Sequence, residues 1–177
     1  MVQDDNTVVY TKSDNRILCV YHRETGENEE KVNLTRREKV YYSDGTFMIQ
    51  DRVYEAADLR IDGENIYVIG KYMRRVPYEP ENAKPKNGDE AYVHVYDREL
   101  NEVTYLNMAA VMEFAEEVRP ENPEEFYMYY NRALYFEGDE VYCVLPNANN
   151  GKEEYLFQCS KDEFLTGEPK FEFVMIY

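Results

Sequence analysis

The sequence lacks tryptophan and contains only two histidines and three cysteines. Long apolar runs are also missing, because every uncharged stretch is far shorter than the roughly 20 apolar residues of a membrane-spanning helix. The opening Met-Val-Gln-Asp-Asp-Asn does not resemble a signal peptide, since it has neither a basic region nor an apolar run. We therefore expect no membrane span. The location is expected to be cytoplasmic, or extracytoplasmic if the chain is a trimmed piece of a secreted protein.

The three cysteines are Cys19, Cys143 and Cys159, an odd number without metal-ligand spacing. Each lies in an apolar, strand-like stretch of the sequence. Free cysteine behaves as a small hydrophobic residue, so we expect three buried thiols. One disulfide with one free thiol is the alternative.

Negative charge outweighs positive charge. The chain has 20 Lys and Arg against 36 Asp and Glu, which gives a net charge of −16. Nucleic acids and anionic membrane surfaces are bound through Lys and Arg, so we expect no direct nucleic-acid binding and no membrane adhesion. The hydrophobic content of 44% is sufficient for a core. A length of 177 residues fits one domain at roughly 150 residues per domain.

Tyrosine is unusually abundant, with 18 copies. Tyrosines alternate with Val and Ile in short runs bounded by Asp, Asn and Gly, which is typical of β-strands. Residues 59–70 and 134–145 align without a gap, and both read as strand, acidic turn with glycine, and strand. The matched positions include Gly63 with Gly138 and Tyr67 with Tyr142.

A second match joins residues 95–99 (Val-Tyr-Asp-Arg-Glu) with residues 20–24 (Val-Tyr-His-Arg-Glu). Together the matches divide the chain into three units, at about 7–34, 59–106 and 133–176. Each unit contains three consecutive strands, and the second and third also have a leading strand. These two are then four-stranded antiparallel meanders, whereas the first unit is expected to lack its leading strand. More than one third of the residues should lie in strands.

The connections between the units, residues 35–58 and 107–132, carry signals of their own. Ser43-Asp44-Gly45 between two apolar stretches predicts a β-hairpin in the first connection. The second connection should contain one or two short helices. The apolar residues at helical spacing are Met108, Val111, Met112, Ala115 and Val118. Asn122-Pro123 supplies a helix start before residues 126–131, and the proline-containing residues 74–90 predict a surface loop.

Two short stretches of the sequence resemble the blade repeat of kelch-like and bacterial β-propellers. They are Asp62-Gly63-Glu64-Asn65-Ile66-Tyr67-Val68 and the later Val95-Tyr96-Asp97. The resemblance spans roughly residues 8–176 and implies an all-β, mainly antiparallel fold of about three blades. The sequence departs from the kelch pattern, because it has no Gly-Gly doublet and no tryptophan. Propeller rings typically have about four to eight blades. Residues 1–177 are then one β-rich domain or a partial propeller, completed by blades of a longer chain or by a second copy as a homodimer.

Two tyrosine clusters are the candidate partner-binding residues. Alternation along the predicted strand 91–97 places Tyr92, His94 and Tyr96 on one face. This face is either a ligand-binding cluster or an aromatic face packed in the core. The other cluster is Tyr127, Tyr129 and Tyr130, which follows an acidic segment and could present contact area at low entropic cost.

No catalytic motif is present in the sequence. There is no phosphate-binding Gly-rich loop, no Gly-x-Ser-x-Gly and no His-Glu-x-x-His, and no carboxylate pair is singled out for glycoside hydrolysis among 36 acids. We expect no catalytic residues, no metal and no cofactor. The predicted function is a scaffold or binding module for a protein or a carbohydrate. The alternatives are an acidic inhibitor that mimics nucleic acid, and a fragment of a propeller glycosidase or lyase.

Overall fold

A computed structural model of the chain describes residues 1–12, 15–41, 45–73, 91–107, 134–146 and 152–177. These residues form three antiparallel sheets and one short helix, which confirms the predicted all-β class. Well over one third of the chain lies in strands, as expected. The helices predicted within 107–132, the loop predicted at 74–90, and Tyr127, Tyr129 and Tyr130 lie outside the described residues.

The first sheet contains four strands in sequence order. They are β1 (Val2–Gln3), β2 (Thr7–Lys12), β3 (Ile17–His22) and β4 (Asn28–Asn33). The expectation that the first unit lacks a leading strand is wrong, because β1 pairs with β2 through Val2 and Val9. The Asp4 carboxylate holds the turn between them by accepting hydrogen bonds from the backbone N–H groups of Asn6 and Thr7.

The second sheet contains five strands, also in sequence order. They are β5 (Thr35–Tyr41), β6 (Phe47–Asp62), β7 (Asn65–Met73), β8 (Ala91–Tyr96) and β9 (Glu102–Asn107). The predicted hairpin corresponds to the β5–β6 pair, in which Tyr41 lies opposite Phe47. The described residues of the connection 35–58 include β5 and the first part of β6, so the predicted hairpin belongs to the second sheet. β6 then continues through the predicted leading strand at 59–61.

A bulge at residue 57 shifts the pairing of β6 with β7 by one residue. Beside the bulge lies Gly70, where an added Cβ atom would be 2.6 Å from the carbonyl oxygen of Glu55. Glycine is needed at this position, because any side chain would collide with the neighbouring backbone. Bulges bend a strand and increase its twist, which is consistent with the curl of this sheet.

The third sheet agrees closely with the predicted third unit. Its strands are β10 (Leu134–Glu137), β11 (Glu140–Pro146), β12 (Glu154–Ser160) and β13 (Glu172–Ile176), in sequence order. The sequence analysis missed the helix α1 (Lys161–Leu165), which follows β12 directly. Ser160 caps α1, since its hydroxyl oxygen accepts a hydrogen bond from the backbone N–H of Glu163. The Ser160-x-x-Glu163 spacing is a capping box, which is the signal that could have predicted α1.

The internal repeat is present in the backbone. Asp62 pairs with Asn65 across the β6–β7 turn, and Glu137 pairs with Glu140 across the β10–β11 turn. The matched glycines adopt nearly the same left-handed conformation, with φ of 54° at Gly63 and 55° at Gly138. Residues with a side chain rarely adopt this φ, so both turns need the glycine that the alignment placed there.

The three sheets pack face to face through two apolar layers. The first layer joins the first and second sheets, and the second layer joins the second and third sheets. Neighbouring residues of β7 therefore belong to different layers: Val68 lies in the first layer and Ile69 in the second. This double burial explains why β7 is apolar at successive positions rather than alternating with polar residues.

All three cysteines are buried and free, as expected. Burial raises the pKa of the Cys159 thiol to about 12, so Cys159 remains a neutral thiol at ordinary pH. In the part of the chain that the structure describes, no helix is long and apolar enough to cross a membrane.

Phe164 tests the second apolar layer. Its side chain is fully buried, and its ring centroid lies 6.1 Å from that of Tyr67. We expect Phe164→Ala to lower the free energy of unfolding in urea by about 3–5 kcal/mol, because it leaves a cavity. Phe47→Ala is the matched control: Phe47 is 52% exposed, and its truncation should cost less than about 1 kcal/mol. Equal losses for the two variants would contradict this packing.

Candidate functional site

β8 brings Tyr92, His94 and Tyr96 to one face of the second sheet, and the face is buried. Each of the three residues is only 2–3% exposed. Tyr92 and Tyr96 belong to the first apolar layer. This burial agrees with the interpretation of the cluster as an aromatic face packed in the core. The three side chains are not part of an open surface to which a ligand could bind.

The curl of the second sheet brings its two edge strands together beside His94. β5 and β9 lie at opposite ends of the strand order, yet Arg36 of β5 forms an ion pair with Glu102 of β9. The guanidinium carbon of Arg36 also lies 3.8 Å from the ring centroid of Tyr105 on β9, within cation–π distance. Arg36 thus connects the two edges of one sheet.

His94 is surrounded by tyrosine rings. Its ring centroid lies 4.9 Å from that of Tyr54, 5.7 Å from that of Tyr105 and 6.2 Å from that of Tyr96. Neither ring nitrogen has a hydrogen-bond partner among the described residues. The Glu102 carboxylate lies 3.8 Å from His94 Nδ1, which is beyond hydrogen-bond distance but close enough for electrostatic attraction.

The Glu102 carboxylate is strongly stabilised in its ionised form. Its pKa is lowered to about 2, because His94 and Arg36 both favour the negative charge more than partial burial disfavours it. Burial, together with the Glu102 charge, raises the pKa of Tyr96. The cluster consequently combines a fixed ion pair with neutral phenols, which suits packing better than proton transfer.

A polar groove of about 520 Å³ lies between the first sheet and the β8–β9 turn. Two of its charged side chains pair with each other, since Arg98 lies 3.4 Å from the Asp4 carboxylate; Arg98 also donates a hydrogen bond to the Gly63 carbonyl. Lys31, which also lines the groove, pairs with Glu29. The groove is thus a polar surface, and it does not include the predicted site residues.

A different surface, which we call the outer face, lies on the side of the third sheet turned away from the second sheet. Cross-strand pairing places its six residues together: Tyr135, Tyr142, Val144, Leu156, Gln158 and Met175. None of these six belongs to either apolar layer. Charged groups border them, because Glu172 lies opposite Gln158 and the guanidinium carbon of Arg60 lies 5.2 Å from the ring centroid of Tyr135. Tyr135 and Met175 are each 45% exposed, and the others are half-buried.

The internal repeat shows what the outer face corresponds to in the earlier units. Tyr142 and Val144 match Tyr67 and Ile69, which are buried against the third sheet. Matched residues of the first two units show the same relation to the next sheet. Val20 of the first unit matches Val95 of the second. Val20 packs in the first layer and Val95 in the second, each toward the following sheet. The outer face is thus the face that each earlier unit covers with the next sheet.

Sequence reasoning missed most of the residues around His94. Arg36, Tyr54, Glu102 and Tyr105 lie on other strands, and only the curl of the sheet brings them to β8. The outer face did have a signal, because β11 and β12 carry apolar residues at successive positions. Such strands are typical of sheets that are covered on both faces.

A comparison of the chain with protein-family models, with curated proteins and with solved structures finds no match. Among the described residues, no group of three or more His, Cys, Asp or Glu could hold a metal ion. The outer face and the His94 cluster are accordingly interpreted from their geometry alone.

Glu102 should make the stability of the protein depend on acidic pH. Its pKa is about 2 in the folded protein and about 4.3 in an unfolded chain. Its stabilising effect is therefore complete above about pH 4.3 and is lost as the pH falls toward 2. We expect the difference in unfolding free energy between wild type and Glu102→Gln, measured in urea, to shrink over that interval. Glu99→Gln in the neighbouring turn is the control. A constant difference for Glu102→Gln would contradict the assignment.

Replacing His94 by phenylalanine tests whether the imidazole is needed for the fold. His94→Phe keeps an aromatic ring and removes two buried nitrogens without direct hydrogen bonds. The unfolding free energy at neutral pH should stay within about 1 kcal/mol of wild type. The pKa of Glu102, followed by NMR, should rise from about 2, whereas His22→Phe at the end of β3 should leave it unchanged. An unchanged Glu102 pKa in His94→Phe would overturn the proposed coupling.

Proposed function

We propose that this chain is a non-catalytic scaffold module of stacked, propeller-like sheets that binds a protein partner through the outer face. One observation carries the proposal. The repeat position that is covered by the next sheet in the first and second units is apolar and partly exposed in the third. A face of this composition is stabilised by burial against an apolar surface.

The arrangement of the sheets supports the propeller-like part of the proposal. Consecutive antiparallel meanders that pack face to face are the arrangement of propeller blades, and the first and third sheets have four strands each in sequence order. The second sheet departs from a regular blade, because β5 adds a fifth strand and the sheet curls until Arg36 meets Glu102. The proposal is therefore a stack related to propeller blades rather than a regular ring segment.

The chemistry of the outer face favours a protein over a carbohydrate. Val144, Leu156 and Met175 provide aliphatic surface without charge, and the cores of protein interfaces are similarly depleted of charged residues. Tyr135 and Tyr142 add large rings, which are enriched at energetically important interface positions.

The ion pairs of the described residues favour the scaffold over an acidic mimic of nucleic acid. Glu55 lies 2.8 Å from Arg16 and connects the second sheet to the first, and Asp62 of the second sheet pairs with Lys161 at the start of α1. These carboxylates are used inside the protein, whereas a mimic would present its carboxylates together to a basic partner.

Photo-crosslinking would test the proposed function. A photoreactive phenylalanine at Tyr142, introduced in the cells that produce the protein, should capture one discrete protein that mass spectrometry identifies. The same residue at Tyr21, which is 39% exposed on the first sheet, is the matched control and should not capture it. With the purified partner, Leu156→Asp should weaken binding at least about tenfold, as expected for an interface centre, while Val8→Asp should not. Equal capture at both positions, or no effect of Leu156→Asp, would refute the proposal.

A further inference from the structure

Four glutamates, which we call the acidic border, surround the apolar centre of the outer face. They are Glu137, Glu140, Glu154 and Glu172. The first three each lie two residues from an outer-face residue of the same strand, and side chains two residues apart project from the same face. Glu172 lies opposite Gln158, which is itself an outer-face residue. The four carboxylates therefore lie on the side of the third sheet that the outer face occupies.

The acidic border is not neutralised within the described part of the chain. Glu140 is half-buried and the other three residues are exposed, and none of the four forms an ion pair with a described Lys or Arg. Arg60, which lies against Tyr135, pairs with Asp58 instead. Glu137 and Glu140 moreover lie directly opposite each other, and like charges in that position are destabilising. A cation supplied from outside would offset this repulsion.

Ion pairs connect consecutive sheets at matched positions of the repeat. The matched stretches are residues 95–99 (Val-Tyr-Asp-Arg-Glu) and 158–162 (Gln-Cys-Ser-Lys-Asp). Arg98 of the second unit thus corresponds to Lys161 of the third. Arg98 lies 3.4 Å from Asp4, in the β1–β2 turn of the first sheet. Lys161 pairs with Asp62, at the β6–β7 turn of the second sheet. In both cases a unit supplies a cation to the leading turn of the preceding sheet.

Glu137 is the next carboxylate in this series. The alignment of residues 59–70 with residues 134–145 places Glu137 at the position of Asp62, beside the β10–β11 turn. Asp62 has its cation from the following unit, whereas Glu137 has no ion-pair partner among the described residues. The third sheet therefore leaves open both contacts that the earlier sheets make with the next one, the apolar contact and the ion pair.

We propose that the partner of the outer face is a protein that presents an apolar β-sheet face together with a Lys or Arg that pairs with Glu137. This inference rests on the proposed function and adds the chemistry of the partner to it. The apolar face of the partner would cover the outer face as the third sheet covers Tyr67 and Ile69. Its cation would take the place at Glu137 that Lys161 has at Asp62.

Charge favours a basic partner over a second copy of this chain. Each chain carries a net charge of −16, and a second copy would present the same acidic border to the first. Complementary charges raise the rate of association and disfavour wrong partners. The centre of the outer face is apolar, since Leu156 lies opposite both Val144 and Met175. This distinguishes the surface from a mimic of nucleic acid, in which carboxylates would form the contact itself.

Charge reversal at Glu137 tests the inference, and the purified protein that crosslinks at Tyr142 is the probe. Glu137→Lys should raise the Kd of that complex at least about tenfold at about 50 mM salt, because it replaces an attraction by a repulsion. The loss should be smaller at about 500 mM salt, where exposed charges are screened. Glu24→Lys, at an exposed residue between β3 and β4, changes the net charge equally and should alter the Kd less than about twofold.

A charge exchange would identify the cation of the partner. Mass spectrometry of the crosslink locates the peptide that contacts the outer face. Replacing the Lys or Arg of this peptide by Glu should weaken binding to wild type and restore binding to Glu137→Lys. Urea unfolding would show that Glu137→Lys remains folded, as expected from the removal of the repulsion with Glu140.

The outcomes separate this inference from the proposed function. If Leu156→Asp weakens binding but Glu137→Lys binds as tightly as Glu24→Lys, the partner uses the outer face without the ion pair, and only the inference is overturned. Capture of a second copy of this chain at Tyr142 would likewise overturn the inference. If no discrete protein is captured at Tyr142, both the proposed function and the inference are overturned.

Discussion

The structure depends on the burial of both faces of the second sheet. Val68 and Ile69 are adjacent in the sequence and point in opposite directions, yet each is only 1% exposed. Each face needs a neighbouring sheet to cover it, so the second sheet is buried only when both the first and the third sheets pack against it. Apolar burial contributes about 25 cal/mol per Å², and the two layers that share this sheet therefore couple the stability of all three.

The same burial determines where polar groups can be placed. His94 interrupts an otherwise apolar strand at a position that faces inward, and an isolated buried polar group is costly. The curl of the sheet offsets part of that cost, since it brings Glu102 to within 3.8 Å of the imidazole and Arg36 onto Glu102. The bulge at residue 57 and the close backbone approach at Gly70 lie in the same sheet. Strand bending, edge contact and the buried histidine are thus parts of one arrangement.

Local features of this fold could be predicted from the sequence, whereas long-range ones could not. The strands of the third unit and the turns at Gly63 and Gly138 follow from alternation and turn chemistry within a few residues. The hairpin within residues 35–58 could be predicted, but its place in the second sheet could not, because membership of a sheet is decided by pairing with distant strands. Arg36 and Glu102 are 66 positions apart, and no local pattern relates them. Periodicity placed Tyr92, His94 and Tyr96 on one face, but the burial of that face depends on a different sheet.

The outer sides of the first and third sheets differ in polarity. The outer side of the first sheet carries polar pairs, because the Tyr10 hydroxyl donates to Asn28 Oδ1 and Lys12 pairs with Glu30. Such pairs satisfy polar groups at a surface that faces water. The outer face of the third sheet has an apolar centre instead, in which Val144 lies opposite Leu156 and Leu156 opposite Met175. Repeat proteins normally cover their outer units with polar surface, which the polar pairs of the first sheet provide and the apolar centre of the outer face does not. The physical case for association through the third sheet follows from this asymmetry.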